Sequence, residues 1–187
     1  MNQIENLEPT VWGVFVGEGG ESLGEFNSQQ GPFPPKPNTE GFVAVGWARV
    51  GDMTMYKGVN GYAQFLGNFA KVFPDCKKAQ ANSLWNFAFE IKKGDRVISP
   101  SSALGFLLVG EFTGEYVFDT DENSIGKSRT QTYLMHLQKV KWQTAIPQRD
   151  ARYSALHRIG QHTVSQLSMT SMRLDDILRG QLTQVNN

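Results

Sequence analysis

Between residues 61 and 73, apolar side chains recur at Tyr62, Phe65, Leu66, Phe69, Val72 and Phe73, one face of a 3.6-residue period. The spacing predicts an amphipathic helix, and Pro74-Asp75 stops it. What limits the fold is the position of this helix in the chain. Before it, Val11-Trp-Gly-Val-Phe-Val16 and Phe42 to Trp47 are short runs rich in β-formers and predict two strands. The second is expected to be central, because it is apolar on both faces. After it, a second helix is predicted from about Ala79 to Lys93, with Leu84, Ala88 and Ile91 on its core face. Strands follow at Arg96 to Ser99, Leu104 to Phe112, Tyr116 to Asp119 and Thr132 to Trp142. A helical block set inside a run of strands, rather than alternating with them, gives an α+β fold: a curved, mixed sheet flanked by helices.

The connecting segments carry their own punctuation. Gly17-Glu-Gly-Gly20 breaks the first strand, and Pro32, Pro34, Pro35 and Pro37 demand a loop. Gly17-Glu-Gly-Gly20 is not a phosphate loop, since no Lys-Ser/Thr follows it and no helix opens directly after it. Gly110 marks a bulge or a close backbone approach. In the last long strand Leu134, His136, Gln138, Val140 and Trp142 alternate with Tyr133, Met135, Leu137, Lys139 and Lys141, so one face should be buried. Ile146-Pro147 opens a loop, a short helix is expected near Arg152 to Ile159, and Thr163 to Leu167 should be extended. Ser171 is placed to cap a helix from Met172 to Leu182. With 187 residues there is room for one domain. It is expected over residues 11–168, with an extension at 1–10 and a C-terminal helix in 169–187.

Composition narrows the functional classes. The formal net charge is zero, whereas a protein held to nucleic acid mainly by phosphate contacts is usually basic overall. Nucleic-acid binding would therefore need a local basic patch and a specific pocket. The candidates for a phosphate rim are Lys127, Arg129, Lys139, Lys141, Arg149, Arg152 and Arg158, in the C-terminal half. A single cysteine, Cys76, excludes an internal disulfide framework and fits a reducing compartment. Lys77 and Lys78 lie beside its thiol, but no base is placed in sequence to use it. No run approaches transmembrane length, so a cytoplasmic protein without a membrane partner is expected. His136, His157 and His162 are too dispersed for a zinc site, and neither metal nor cofactor is expected.

Two constellations remain. Pro74-Asp75, followed after fourteen residues by Glu90-Ile-Lys92, has the spacing of a metal-dependent nuclease core, with Asp75 and Glu90 on the ion and Lys92 activating water. Such cores set these groups on adjacent strands, whereas here Glu90 and Lys92 fall in a helical pattern. The second constellation is aromatic. Gly41-Phe-Val-Ala-Val-Gly-Trp47 ends a strand on a tryptophan, and the helix of Trp85 carries Asn82, Trp85, Asn86 and Phe89 at i, i+3, i+4, i+7. Any one of Trp12, Trp47, Trp85 and Trp142 is ordinarily a core residue. Trp47 and Trp85 together, flanked by amides, suit a planar hydrogen-bonding ligand such as a nucleobase. A small-molecule or nucleotide sensor using the same pocket is a third reading.

A series of segments occurs in a fixed order: Trp12 through Gly20, Phe42-Val-Ala-Val-Gly-Trp47, Gly51-Asp52-Met53, Trp85 through Val97, Gly110-Glu-Phe-Thr-Gly-Glu-Tyr116, His136 to Trp142, and Gly160-Gln-His-Thr-Val164. Over roughly residues 11–168 the chain resembles the EVE-like modules of the PUA-like superfamily, found in prokaryotic restriction and defence proteins and related to YTH and SRA domains. The resemblance implies a barrel-like sheet with flanking helices and a non-catalytic pocket for a modified base, often one flipped from its stack. It implies that Trp47 is one wall, that Trp85, Asn82 and Ser83 lie on the closing helix, and that Glu18 approaches the mouth. The implied partner is nucleic acid, DNA before RNA, with a separate effector protein. Two departures are visible: Val16 stands where the family carries a basic residue, and the proline-rich insert is long.

Overall fold

The computed structural model describes residues 8–15, 38–101, 105–120, 136–150, 156 and 163–180. Six strands are present among them: β1 (Thr10–Val14), β2 (Thr39–Val45), β3 (Arg96–Ser101), β4 (Phe106–Phe118), β5 (His136–Pro147) and β6 (Val164–Thr170). Three α-helices accompany them: α1 (Gly61–Val72), α2 (Lys78–Trp85) and α3 (Ser171–Leu178). The strands form one sheet in the order β2-β5-β4-β3-β1-β6. β1 runs parallel to β3 and the other neighbours are antiparallel. The fold is therefore α+β on a mixed sheet. The sheet is open, with β2 and β6 as its edges among the described residues.

Both faces are covered, which explains why so many strand residues are apolar. On one face Trp12, Val14, Val43, Val45, Val97, Leu108, Phe112, Val140 and Trp142 pack under α1 and α2 through Phe65, Phe69, Ala81 and Leu84. On the other, Val11, Ile98, Leu107, Val109 and Ile146 meet Leu174 and Ile177 of α3. Arg96 fastens α3 to the sheet. Its guanidinium donates to Asp175 at 2.7 Å and to Gln143 at 2.7 Å. No helix among the described residues is long and apolar enough to cross a membrane.

Several boundaries differ from the sequence reading. β2 is an edge strand, not a central one. Its double-sided apolarity comes from Val43 and Val45 under the helices and from Phe42 and Ala44, which cluster with Leu137 on the far face. The expected strands at 104–112 and 116–119 are one strand, β4, whose register slips between Phe112 and Tyr116. β5 continues through Ile146 to Pro147 where a loop was expected, because its last residues still pair with β4. Thr170, not Ser171, caps α3, its hydroxyl accepting from the Arg173 N–H at 3.1 Å. The helix expected near 152–159 lies outside the described residues apart from Leu156.

Gly110 does mark a close approach. A Cβ built there would lie 2.7 Å from Val140 Cγ1, 2.8 Å from the Lys141 carbonyl oxygen and 3.0 Å from Trp142 Cε3. The β4–β5 register shifts at this residue.

Candidate functional site

α1 forms as its spacing predicts, with Phe65 and Phe69 buried against the sheet and Tyr62 half-buried beside them. The next helix does not run straight to Lys93. α2 ends at Trp85, and Asn86–Glu90 is a π-helical turn in which the Ile91 N–H reaches back to the Asn86 carbonyl at 3.1 Å. Asn-Phe-Ala-Phe places two large rings close together, and the wider turn accommodates both. Phe87 enters the core, while Phe89 packs on Trp85 with ring centroids 4.3 Å apart. The wider turn also leaves the Phe87 carbonyl without a helical donor, since the Lys92 N–H goes to Asp95 Oδ2 at 3.0 Å. Gln138 of β5 supplies one: its Nε2 donates to the Phe87 carbonyl at 2.6 Å.

Trp47 follows the end of β2. Its backbone is left-handed, φ 68° and ψ 28°, a conformation rare for a bulky side chain and costing about 1–2 kcal/mol. The bonds around it hold it there. Val50 N–H donates to its carbonyl at 3.0 Å and Gly51 N–H to the Ala48 carbonyl at 3.0 Å, closing a 3-10 turn. Asp52 then caps the next 3-10 turn, accepting from Thr54 N–H at 2.9 Å. The indole is half-buried and rests on Phe69, centroids 6.2 Å apart.

The two expected pocket tryptophans are joined by a row of rings. Trp85 contacts Phe65 at 5.7 Å, Phe65 contacts Phe69 at 5.7 Å, and Phe69 contacts Trp47. The ends of the row are half-buried and its middle is fully buried. Tyr62 sits edge-on to Trp85 at 5.0 Å and donates its hydroxyl to Asn82 Oδ1 at 2.6 Å. That bond fixes the Asn82 amide so that its NH2 is the group left over. Ser83 is committed elsewhere: it is 2% exposed and its hydroxyl donates to the Val164 carbonyl of β6 at 3.2 Å.

Sequence reasoning missed a polar core on β5, opposite the β2 residues that lead to Trp47. His136 and Gln138 occupy the helix-side face of β5, 0% and 1% exposed. His136 Nδ1 lies 2.7 Å from the Tyr116 hydroxyl, which also accepts from Met53 N–H at 3.2 Å. The hydroxyl has a single proton, and accepting from Met53 leaves it free to donate to Nδ1. The imidazole is then neutral with its proton on Nε2. Burial drives its pKa down to about 4, against the weaker opposing pull of the Trp47 carbonyl and the Asp52 carboxylate. Burial likewise pushes the Tyr116 phenol well above its ordinary value. Among the described residues two polar atoms on this face, His136 Nε2 and Gln138 Oε1, have no partner in hydrogen-bond geometry, although the Trp47 carbonyl is near enough to act on the imidazole. Such atoms are normally taken up by ordered water or by a ligand. The alternation of the strand signalled that this face is buried; nothing local signalled that His136 and Gln138 would be short of partners.

The remaining expected site residues are dispersed. Glu18, Lys127, Arg129, Arg152, Arg158, His157 and His162 lie outside the described residues. Lys139 and Lys141 project from the face of β5 opposite α1 and α2, and Lys141 pairs in register with Glu40 on β2 and Glu111 on β4. Arg149 is exposed beyond β5. Asp75 lies in the turn after α1, Glu90 ends the π turn and Lys92 follows it, all three exposed. Among the described residues no three His, Cys, Asp or Glu side chains gather as a metal site would require. Cys76 is a half-buried free thiol against the core.

No curated protein and no solved structure matches the chain. A family model does, over residues 25–168, well over half of the 187. The chain belongs to that family, described as a domain of unknown function (DUF8426).

Proposed function

We propose that this chain is a non-catalytic, PUA-like nucleic-acid-binding module that takes a modified base, most simply a methylated one, into an aromatic recess. DNA is favoured over RNA, and the setting is defence or modification-dependent restriction, acting with a separate effector in the cytoplasm. The observation that carries the reading is Trp47. A large aromatic is held in a left-handed conformation, half-buried, two residues past Val45, whose strand partner is His136; among the described residues His136 Nε2 and Gln138 Oε1 on that strand have no hydrogen-bond partner. In this reading Trp47 and Trp85 are the walls, Phe65 and Phe69 the floor, and the Asn82 amide with His136 and Gln138 the edge-reading groups. Aromatic walls give stacking, and excluding water from one added methyl is worth roughly 0.8 kcal/mol. A preference of several-fold for the modified base is the expected scale.

The test is a titration of labelled oligonucleotides that differ only in one methylated or hydroxymethylated base. The wild-type chain should prefer one modification. Trp47→Ala and Trp85→Ala should erase that preference, while Trp47→Phe, which keeps a stacking ring, should retain part of it. A preference undiminished in both alanine variants would remove the aromatic recess from consideration.

A further inference from the structure

The phosphate rim expected from the sequence lies in the C-terminal half, but the positive charge of the described residues is concentrated elsewhere. Residues 46–94, which form the helical layer, carry seven Lys or Arg (Arg49, Lys57, Lys71, Lys77, Lys78, Lys92, Lys93) against three acids (Asp52, Asp75, Glu90). That is a net +4 within a chain whose net charge is zero. All seven cations are exposed. Among the described residues the one ion pair within 4.0 Å is Arg96–Asp175, on the other side of the sheet, so none of the seven is neutralised by a contact.

Four of them lie on the α1–α2 turn or on the segment packed against it. The Arg49 guanidinium lies over the Phe73 ring, 5.5 Å from its centroid, which orients the cation without discharging it. Lys71 occupies the last turn of α1, two residues before Phe73. The turn then closes on itself, with Cys76 N–H donating to the Phe73 carbonyl at 3.1 Å, and delivers Lys77 and Lys78 at the start of α2. Asp75 is the one acid in this turn. The cluster is continuous with the candidate site: Phe73 contacts Phe69 at 5.2 Å, and Phe69 carries Trp47. The β5 lysines contrast with it, since Lys141 has Glu40 in register on one side and Glu111 on the other. These two carboxylates lower the potential that a phosphate would meet at Lys141, whereas Lys139 faces Phe42 in register.

We propose that the sugar–phosphate backbone of a nucleic acid tracks the α1–α2 turn, with Arg49, Lys71, Lys77 and Lys78 on phosphates, and that Lys139 and Lys141 are not part of this track. The inference rests on the nucleic-acid reading of Trp47 and specifies where the polymer lies relative to that ring. A neutral protein can bind a polyanion this way because the local charge, not the total, sets the counterion release.

The experiment uses the full chain and an unmodified, fluorescein-labelled DNA oligonucleotide, single-stranded and duplex, so that base recognition is not required. Fluorescence anisotropy is followed over a salt series for the wild type, for the triple variant Lys71→Gln/Lys77→Gln/Lys78→Gln, and for Lys139→Gln/Lys141→Gln. Exposed lysines are replaced, so folding is preserved and is checked by thermal melting. The triple variant should lose tenfold or more in affinity at low salt, and its slope of log K against log salt should fall by roughly two to three. The β5 pair should leave both unchanged. Equal losses in the two variants, loss only in the β5 pair, or no oligonucleotide binding by the wild type would overturn the proposal. So would dependence on these lysines for anionic lipid vesicles but not for DNA. If the oligonucleotide depends on the triple site while modified and unmodified bases bind alike, the phosphate track stands and the base-reading proposal falls. If a modified nucleoside binds and the oligonucleotide does not, the reverse holds.

Discussion

Removing one carboxylate should loosen the junction on which the candidate site is built. Asp95 is 7% exposed and accepts three N–H groups. Thr10 N donates to Oδ1 at 2.9 Å, and Trp12 Nε1 at 2.9 Å and Lys92 N at 3.0 Å donate to Oδ2. It thereby ties the start of β1 and the end of the π turn to the start of β3. Asp95→Ala orphans all three donors. The Trp12 indole N–H is buried and cannot turn to water, a cost of about 2 kcal/mol; the two backbone N–H groups are partly reached by solvent and cost roughly 0.5 kcal/mol each. The sum is about 3 kcal/mol. In urea, with a slope near 2 kcal/mol/M for a chain of this size, the midpoint should fall by roughly 1.5 M with the slope unchanged. A double-mutant cycle isolates the central bond. Trp12→Phe removes the indole donor, so the loss caused by Asp95→Ala should shrink by about 2 kcal/mol in that background. A loss below about 1 kcal/mol, or additive losses in the cycle, would refute the assignment of Asp95 as the acceptor that holds these elements together.

Two further perturbations have worked signs. Burial lowers His136 from its ordinary 6.5 to about 4 in the folded chain, so the unfolded chain binds the proton more readily. The stabilising contribution is whole above about pH 6.5 and is lost as pH falls towards 4, at about 1.4 kcal/mol per pH unit and about 3 kcal/mol in all. Urea midpoints measured between pH 7 and 4.5 should fall more steeply for the wild type than for His136→Gln, and parallel curves would contradict a neutral buried imidazole. Gly110→Ala places a methyl 2.8 Å from the rigid Lys141 carbonyl and 3.0 Å from the buried Trp142 ring. Overpacking of this kind costs 1–3 kcal/mol, and about 2 kcal/mol is expected from thermal unfolding; a change under 0.5 kcal/mol would mean that β4 and β5 can part there freely.

The sequence was informative wherever a local period decides the outcome. α1 could be read from the recurrence of Phe65 and Phe69, and the buried face of β5 from its alternation, because burial imposes those periods directly. Strand order was not readable. β2 reads as central because Phe42 to Val45 are apolar on both faces, but apolarity reports cover of any kind, and among the described residues helices and a small far-face cluster provide it, with β5 the one neighbouring strand. The π turn was invisible for another reason: a helical wheel extrapolated from Asn82 assumes a constant pitch, and the change of pitch at Asn86 is what brings Phe87 inward and frees its carbonyl. Partnerships across the chain, such as Asp95 with Trp12 or Tyr116 with His136, leave no mark on the residues between them.

Two features near Trp47 run against stability: its left-handed backbone, and the polar atoms His136 Nε2 and Gln138 Oε1 on β5. A glycine or asparagine would take the left-handed backbone at position 47 without the cost of a bulky side chain. His136 and Gln138 each spend one atom on a buried partner, the Tyr116 hydroxyl and the Phe87 carbonyl, and each keeps a second buried polar atom without a hydrogen-bond partner among the described residues, a cost of about 1–3 kcal/mol apiece. The rest of this core follows the ordinary rule: Val43, Val45, Val140 and the α1 phenylalanines are apolar and close-packed. The strained turn is held by bonds from Val50, Gly51 and Thr54 and by Met53 on Tyr116, so the surrounding structure enforces the strain instead of relieving it. Packing accounts for α1, for Gly110 and for the Asp95 clip. It does not account for a tryptophan at a position suited to glycine, on the same face as a histidine and a glutamine that each keep an unmet polar atom among the described residues, or for the cations of the α1–α2 turn. A planar, hydrogen-bonding, polyanionic ligand would use all of these groups at once.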